Sequence, residues 1–413
     1  MEGWERCKIT DIVHPLTTVN PRKDPQIPFE YIDVSSVSRS THKVHETTKL
    51  LGADAPSRAR RKVHAGDVLF ATIRPTLQRI TIIPDHLQGA ICSTGYYVLR
   101  PRDQVLSSFL FYYLFSEAFS SEMEELQRGA SYPAVSDRDV KEHLMLLPPL
   151  PEQERIVAIL DEAFAAIETA TAHTEKNLLN ARELFESQLQ ALLNPGDAVM
   201  EGWENTKLEE ILEVQSGFAF RSKDYSEDGH FLIRIGNVQD REISLNKPKF
   251  VRLDKSTQRF ELNAGDWLTS LTGNIGRVAI IKKSHLPAAL NQRVARLSLI
   301  KNNPVHEGFV FYFLTSDHFK SELCDSGHGT AQKNVSPKAI GNIALLLPPL
   351  PEQERIVAML DKASEKSQHL CDSYDLKLEH FANLKQSLLQ KAFTGELTSD
   401  KKAADRTLSE AGL

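Results

Sequence analysis

The sequence predicts an α+β protein in which two mixed globular domains, related by an approximate two-fold axis, are separated by two long antiparallel helices forming an intramolecular coiled coil. Three observations carry that prediction. The run LLPPLPEQERIVA at 146–158 recurs unchanged at 346–358. From each copy onward, apolar residues return at three- and four-residue steps for about 43 residues. Ahead of each copy, short runs rich in β-branched and aromatic residues alternate with turn residues, as strands of a mixed domain do.

The repeat sets the division. The same offset, within a residue, pairs Met1-Glu2-Gly3-Trp4-Glu5 with Met200-Glu201-Gly202-Trp203-Glu204, Gly66-Asp67 with Gly265-Asp266, Phe111-Tyr112 with Phe311-Tyr312, and Val135-Ser136 with Val335-Ser336. Solenoid periods are far shorter, so the chain is a duplicated domain pair. The predicted boundaries are a first globular domain at 1–150, a first long helix at 151–195, a second globular domain at 196–350, a second long helix at 351–396, and a polar tail at 397–413.

Each helix has a stripe. In the first it runs through Ile156, Leu160, Ala163, Ile167, Ala170, Thr174, Leu178, Ala181, Leu184 and Leu192; in the second through Ile356, Leu360, Ala363, Ser367, Leu370, Tyr374, Leu378, Phe381, Leu384 and Leu388. Pro148, Pro149 and Pro151 stop any helix from running through out of the preceding domain, and Pro151 suits a first turn. Asn194-Pro195-Gly196 ends the first helix as a linker, whereas Gly395 suits a C-terminal cap on the second. A rod of this length spans roughly 65 Å and cannot bury its stripe within one small domain. It needs another rod. Two-fold related copies make that pair antiparallel, which predicts a dumbbell. Small residues in the stripes bury little area, so further protein partners are expected to cover part of the rods.

Within the globular segments, FEYIDVSSV at 29–37 and HFLIRIGNV at 230–238 read as equivalent strands. DVLFATI at 67–73 and DWLTSLT at 266–272 read as strands entered from an Ala-Gly-Asp turn, and 96–101 and 294–299 as a further pair. SSFLFYYLFSEAF at 107–119 and EGFVFYFLTSDHF at 307–319 read as helices whose aromatics belong to the core.

Composition removes several classes. The 413 residues are 41% hydrophobic and 25% charged with a net charge of −6, which excludes dominant disorder. No apolar run has the length of a membrane helix, and the start MEGWERCKITDI has no hydrophobic stretch of the signal-peptide kind, so a cytoplasmic protein is expected. Cys7, Cys92, Cys324 and Cys371 form no CxxC pair and suggest neither a disulfide framework nor zinc. No phosphate-binding loop, dinucleotide turn or HExxH is present. TGNIGR at 272–277 has two glycines but nothing else of such motifs, and Ser136 and Ser216-Gly217 have no evident basic partner. No catalytic centre, cofactor site or metal site is expected.

Ligand binding is better supported. Region 41–80 holds Lys43, Lys49, Arg58, Arg60, Arg61, Lys62, Arg74 and Arg79 against only Glu46, Asp54 and Asp67. Three pairs of loops occupy equivalent places but differ in residues: 73–79 and 272–277, 92–97 and 290–295, 128–133 and 328–333. A shared frame with divergent loops is what two readers of different ligands require.

The doubled PLPEQERIVA, the GWE start of both copies, the Phe-Tyr helices and the ending LLQKAFTGEL at 388–397 together resemble the DNA-specificity subunit of type I restriction-modification systems, over nearly the whole chain. The resemblance implies a non-catalytic subunit in which each globular segment is a target-recognition domain for one half of a split site in double-stranded DNA. It implies that the helices form a spacer engaging two methyltransferase (modification) subunits. Adenine methylation with S-adenosylmethionine would belong to those subunits, and translocation and cleavage with ATP and magnesium to restriction subunits. Under this reading rod length sets the number of unread base pairs. The candidate DNA-binding residues are Lys62, Arg74, Gln78 and Arg79 in the first domain, and Asn274, Arg277, Gln292, Arg293 and Lys333 in the second, because Arg, Asn and Gln reach base edges and Lys and Arg reach phosphates. Two readings stay beside it: a coiled-coil scaffold or adaptor without DNA specificity, and a self-contained nuclease or methyltransferase.

Overall fold

The computed structural model describes residues 3–194, 201–301, 303–327 and 334–399. The chain forms two compact units, one built from Met1–Thr174 with Leu376–Leu413 and the other from Glu175–Asp375. Both long helices are continuous over 44 residues, Leu150–Leu193 and Leu350–Phe393. Each unit therefore takes one half of each helix.

The units repeat one topology. In unit 1 a four-stranded antiparallel sheet has the order 13–14, 96–101, 68–71, 80–82; in unit 2 the order is 212–216, 294–299, 267–270, 278–280. A second, mixed sheet carries one parallel pairing in each unit, Tyr31 with Ile91 and Phe231 with Ala288. A two-stranded ribbon joins the start of each copy to the strand before its long helix, with Glu5 opposite Leu147 and Glu204 opposite Leu347. The Ala-Gly-Asp turns are fastened by arginine: Asp67 accepts from Arg100 Nε and Nη2 at 2.9 Å each, and Asp266 accepts from Arg296 Nη1 at 3.2 Å.

The central strand 68–71 is apolar throughout because both faces are covered. Val68 and Phe70 face a core containing Phe109, Tyr113 and Phe119, while Leu69 and Ala71 face a second core with Ile32, Cys92 and Tyr96. In that dry setting the Cys92 thiol is pushed up to about 12 by burial. Unit 2 divides Trp267 and Leu268 between two cores in the same way.

Several sequence expectations need correction. The strand expected at 29–37 ends at Ile32, because the Asp33 N–H donates to Ser36 Oγ (3.0 Å) while the Ser36 N–H donates to Asp33 O. Arg234 and Asn237 make the equivalent local pair and end the 230–233 strand. Such side-chain bonds compete with a strand ladder. The single helices expected at 107–119 and 307–319 are each two, Ser107–Tyr113 with Glu117–Glu125, and Glu307–Thr315 with Asp317–Asp325. Ser116 and Ser316 cap the second member by accepting from Phe119 and Phe319 N–H groups. The stripes also shift. Leu184, Leu370 and Leu384 are exposed, and Phe185, Leu189, Leu193, Cys371, Leu389 and Ala392 are buried instead.

Helix packing is antiparallel in each unit taken alone. In unit 1, Lys385 Nζ lies 5.8 Å from the Phe164 ring centroid, and farther along both helices Leu389 and Ala392 share a core with Ile156 and Leu160. In unit 2, Ser367 Oγ donates to Ala181 O at 3.0 Å, and Leu189 and Leu193 share a core with Ile356 and Leu360. Gly395, at φ 77, caps the second helix, with the Glu396 N–H reaching back to Lys391 O. Asn194 is the last described residue of the first helix end; the linker expected at Pro195-Gly196 lies outside the described residues.

The repeated PEQER run is explained by how the helix start is seated. Gln153 is fully buried; its Nε2 donates to Gln104 O (2.9 Å) and Pro148 O (2.8 Å), and its Oε1 accepts from Leu106 N–H (2.9 Å). Gln353 donates to Pro348 O and accepts from His306 N–H in the same manner. About two turns farther on, Tyr112 Oη donates to Asp161 (2.5 Å) and Tyr312 Oη to Asp361 (2.7 Å). Gln153→Ala leaves two carbonyls and an amide unpaired in a dry site, with an expected loss of about 2–4 kcal/mol. Gln153→Glu loses the two donated bonds and is expected to fare no better. Glu154→Ala, on the exposed face, is expected to be near neutral. Thermal unfolding with hydrogen exchange at Leu106 reads all three; a neutral Gln153→Ala would remove this account of the motif.

Candidate nucleic-acid interface

In unit 1 three loops are tied together by backbone bonds. The Thr72 N–H and hydroxyl both donate to Gly95 O, Arg74 N–H donates to Pro133 O at 2.7 Å, and Val135 N–H donates to Thr72 O. In unit 2, Leu271 N–H donates to Arg293 O, Val335 N–H donates to Leu271 O, and Thr272 Oγ1 donates to Asn334 Oδ1 at 2.5 Å. The first two divergent loop pairs of the sequence thus meet at equivalent places, joined in unit 2 by Asn334 and Val335; residues 328–333 lie outside the described residues.

The first loop shows how the two surfaces differ. Ala71 N–H donates to Arg79 O and Ser270 N–H to Arg277 O, so these residues close the loop in either unit. Inside it, unit 2 places Gly273 and Gly276 in the left-handed region; unit 1 places Arg74 (φ 50) and Gln78 (φ 46) there. A side chain in that region carries backbone strain that glycine avoids.

Arg74 is exposed, with its guanidinium 5.0 Å from the ring centroid of Tyr132, itself 72% exposed. Gln78 is half-buried and lines a crevice with Glu117, Ser120, Asn383 and Gln386. Arg79 is half-buried; its Nη1 donates to Ser35 O at 3.2 Å and to Val37 O. Lys62 is exposed but pairs with Ile91, toward the opposite end of its strand from the loops; Arg58, whose carbonyl accepts from Thr94 N–H, lies nearer. Arg61 of the same basic run is spent on Asp137 (2.7 Å) and Tyr96 O.

In unit 2, Gln292 and Arg293 are exposed at a loop tip, and Asn274 is exposed with its side-chain amide beside the Arg277 guanidinium. Arg277 also donates to Gln239 Oε1 and lies 4.0 Å from Asp240, so it braces a hairpin as well as facing the loop. Lys333 lies outside the described residues. Sequence reasoning missed Phe218, 38% exposed, whose carbonyl accepts from Gln292 N–H and whose ring lies 4.9 Å from Phe220. It also missed Arg39, a lone cation in the hydroxyl-rich run SSVSRST.

Each interface has a hairpin beside it, bridged Val37 to Val44 and Val238 to Ile243, with a left-handed residue at the tip. In unit 1 this is His42, edge-on to Phe115 at 4.6 Å; burial holds its imidazole below the ordinary value. In unit 2 it is Arg241, 4.6 Å from the Phe185 ring centroid and 3.4 Å from Glu186, whose carboxyl is raised by burial.

Ser216-Gly217, set aside as a catalytic pair, has a packing role. A Cβ on Gly217 would stand 2.2 Å from Asn291 O, so the loop carrying Gln292 and Arg293 can approach only a glycine. Gly217→Ala is expected to cost about 1–3 kcal/mol and loosen that loop. Faster amide exchange at 290–294 than elsewhere in unit 2 checks it; unchanged exchange and stability would contradict it.

Among the described residues no group of three or more His, Cys, Asp or Glu side chains is placed to hold a metal, and no helix is long and apolar enough to cross a membrane. The profile of the type I restriction modification DNA specificity domain matches residues 1–180 and again 200–370. The MjaVIII specificity subunit of Methanocaldococcus jannaschii is 27% identical over 325 residues, 74% of either chain. The EcoKI specificity subunit of Escherichia coli is 23% identical over 431 residues, covering 98% of this chain and 92% of that one. A chain from a solved type I R-M system, described in terms of complex assembly and conformational transition, has a TM-score of 0.83 at 28% identity and covers 96% of this chain and 99% of its own. The HsdS subunit from Thermoanaerobacter tengcongensis has a TM-score of 0.60, also at 28% identity, over 96% and 98%. With both copies matched and the fold shared, the chain belongs to the type I restriction-modification DNA specificity family: it is a DNA specificity subunit, a non-catalytic member of such a system.

Proposed function

We propose that each unit reads one half of a two-part site in double-stranded DNA, and that the chain directs adenine methylation or ATP-dependent cleavage by partner subunits. The observation that carries this reading is the pair of equivalent three-loop frames whose side chains differ. A frame fixed by backbone bonds holds base-reading groups in register while their identity varies. Arg74, Gln78, Asn274, Gln292 and Arg293 are the base-edge candidates, with Lys333 beside them on sequence grounds alone. Arg79 and Arg277 carry charge while bracing neighbouring loops, and Lys62 is assigned to phosphate at the margin.

Two copies of a methyltransferase subunit fit the helices. Pro151, Glu154 and Ala158 are exposed, as are Pro351, Glu354 and Ala358, so the duplicated motif presents one surface twice. Leu184 and Leu384, at equivalent places, are 59% and 46% exposed. Identical exposed surfaces suit identical partners. The partners would supply S-adenosylmethionine, ATP and magnesium chemistry, with restriction subunits joining the complex in the cytoplasm.

The test is to copurify the chain with its partners and map methylated adenines on host DNA. A two-part methylated motif is expected. Arg293→Ala and Gln292→Ala should relax only one half, at about 1–3 kcal/mol per lost base contact. Arg277→Ala should weaken binding to that same half. Arg74→Gly should relax the other half while leaving the fold as stable or slightly more so, because glycine relieves the left-handed strain. Absence of any two-part motif with a methyltransferase present would sink the reading. Arg74→Gly that lowers stability would sink the strain argument.

A further inference from the structure

Between the unit 1 hairpin and the 75–77 turn lies an open cleft of about 830 Å³. None of the side chains lining it is acidic; the polar ones include Arg39, Ser40, Thr41, His45, Thr76 and Arg79. Two guanidiniums meet this cleft without a carboxylate. Arg79 is held by the carbonyls of Ser35 and Val37, which are neutral acceptors and leave its charge uncancelled. Arg39 is exposed and has no ion-pair partner among the described residues.

The walls are built rather than loose. Ser38 Oγ accepts from the Ser40 and Thr41 N–H groups at 3.3 and 3.2 Å, fixing the hairpin tip. On the other side, left-handed Arg74 and Gln78 bracket Thr76. Unit 2 treats its equivalent hairpin differently. Asp240 stands 3.0 Å from Lys320 and 4.0 Å from Arg277, and Glu186 stands 3.4 Å from Arg241, so positive charge there is answered by carboxylates.

We propose that the unit 1 cleft holds a phosphate of the DNA backbone, with Arg39 as its free cation, Arg79 as a fixed charge at its wall, and Thr76 and Ser40 as hydroxyl donors. Hydroxyls and guanidinium suit phosphate oxygens, and the amides that read adenine edges do not line the cleft. This assignment rests on the DNA-reading function and adds to it a contact that positions the duplex without selecting sequence. The surfaces of the two units then differ in kind: unit 1 grips backbone beside its reading loops, and unit 2 uses the same hairpin as a brace.

The experiment uses the full chain with its copurified subunits and a random-sequence duplex pool, titrated over a range of potassium chloride concentrations, with the bound fraction sequenced. Arg39→Ala should lower the slope of log affinity against log salt by about one and weaken binding several-fold, without changing the bound sequences. Arg39→Lys should keep the slope, and Thr76→Val should weaken binding with the slope intact. Wild-type slope and affinity in Arg39→Ala overturn the proposal, as does a changed bound sequence, which would make Arg39 a base reader. Displacement of the duplex by inorganic phosphate beyond that by chloride at equal ionic strength would assign the cleft to a free anion and also overturn it. Arg74→Ala separates the two levels. Altered bound sequences there beside an unaffected Arg39→Ala remove only the cleft, whereas a wild-type complex that retains no duplex removes the DNA reading itself.

Discussion

The rest of the structure depends on one buried hydrogen-bonding group, the glutamine at the start of each long helix. Three prolines interrupt the chain just where a helix of 44 residues must begin. The carbonyl of the first of them, and the backbone of the loop before the aromatic helix, would be left without partners in a dry site. Gln153 and Gln353 supply those partners. Tyr112–Asp161 and Tyr312–Asp361 then fix the next turns. A globular domain attached through side-chain bonds two turns apart is held from swivelling on its helix. For a DNA specificity subunit, a rigid mounting of this kind holds the loops of each unit in a fixed geometry.

The same economy appears in the loops. Backbone bonds from Thr72, Arg74 and Val135 in unit 1, and from Leu271 and Val335 in unit 2, make a frame that does not depend on side-chain identity. Side chains exposed on it can change without unmaking it, so one scaffold can present two different sets of side chains. The cost appears where unit 1 puts arginine and glutamine into backbone positions that unit 2 gives to glycine. Strain at Arg74 and Gln78 is tolerated because the surrounding bonds over-determine the loop.

Charge is arranged locally. The net charge of −6 conceals guanidiniums that differ in purpose. Arg61, Arg100 and Arg296 are tied to carboxylates and serve the fold. Arg39 and Arg79 face a cleft whose lining offers no carboxylate. Counting lysine and arginine between 41 and 80 could not separate paired from unpaired cations, because pairing is decided by residues distant in sequence, such as Asp137 for Arg61.

The sequence by itself determined the duplication, the two long helices, the strands at 96–101 and 294–299, and the family. Each follows from a periodic or repeated pattern that local physics translates directly. It overran the strands after Ile32 and Ile233 and fused the aromatic helices, since one serine or asparagine side chain settles those ends. It also marked the loops at 73–79 and 92–97, and at 272–277 and 290–295, that meet in each unit. Tertiary structure alone decided which face of each loop is open, why Leu184 is outside and Phe185 inside, and that Lys62 stands apart while Arg39 comes in. Those outcomes depend on which backbone groups meet across long stretches of chain, as Leu271 does with Arg293, 22 residues on, and with Val335, 64 residues on, and no local pattern encodes a meeting of that kind.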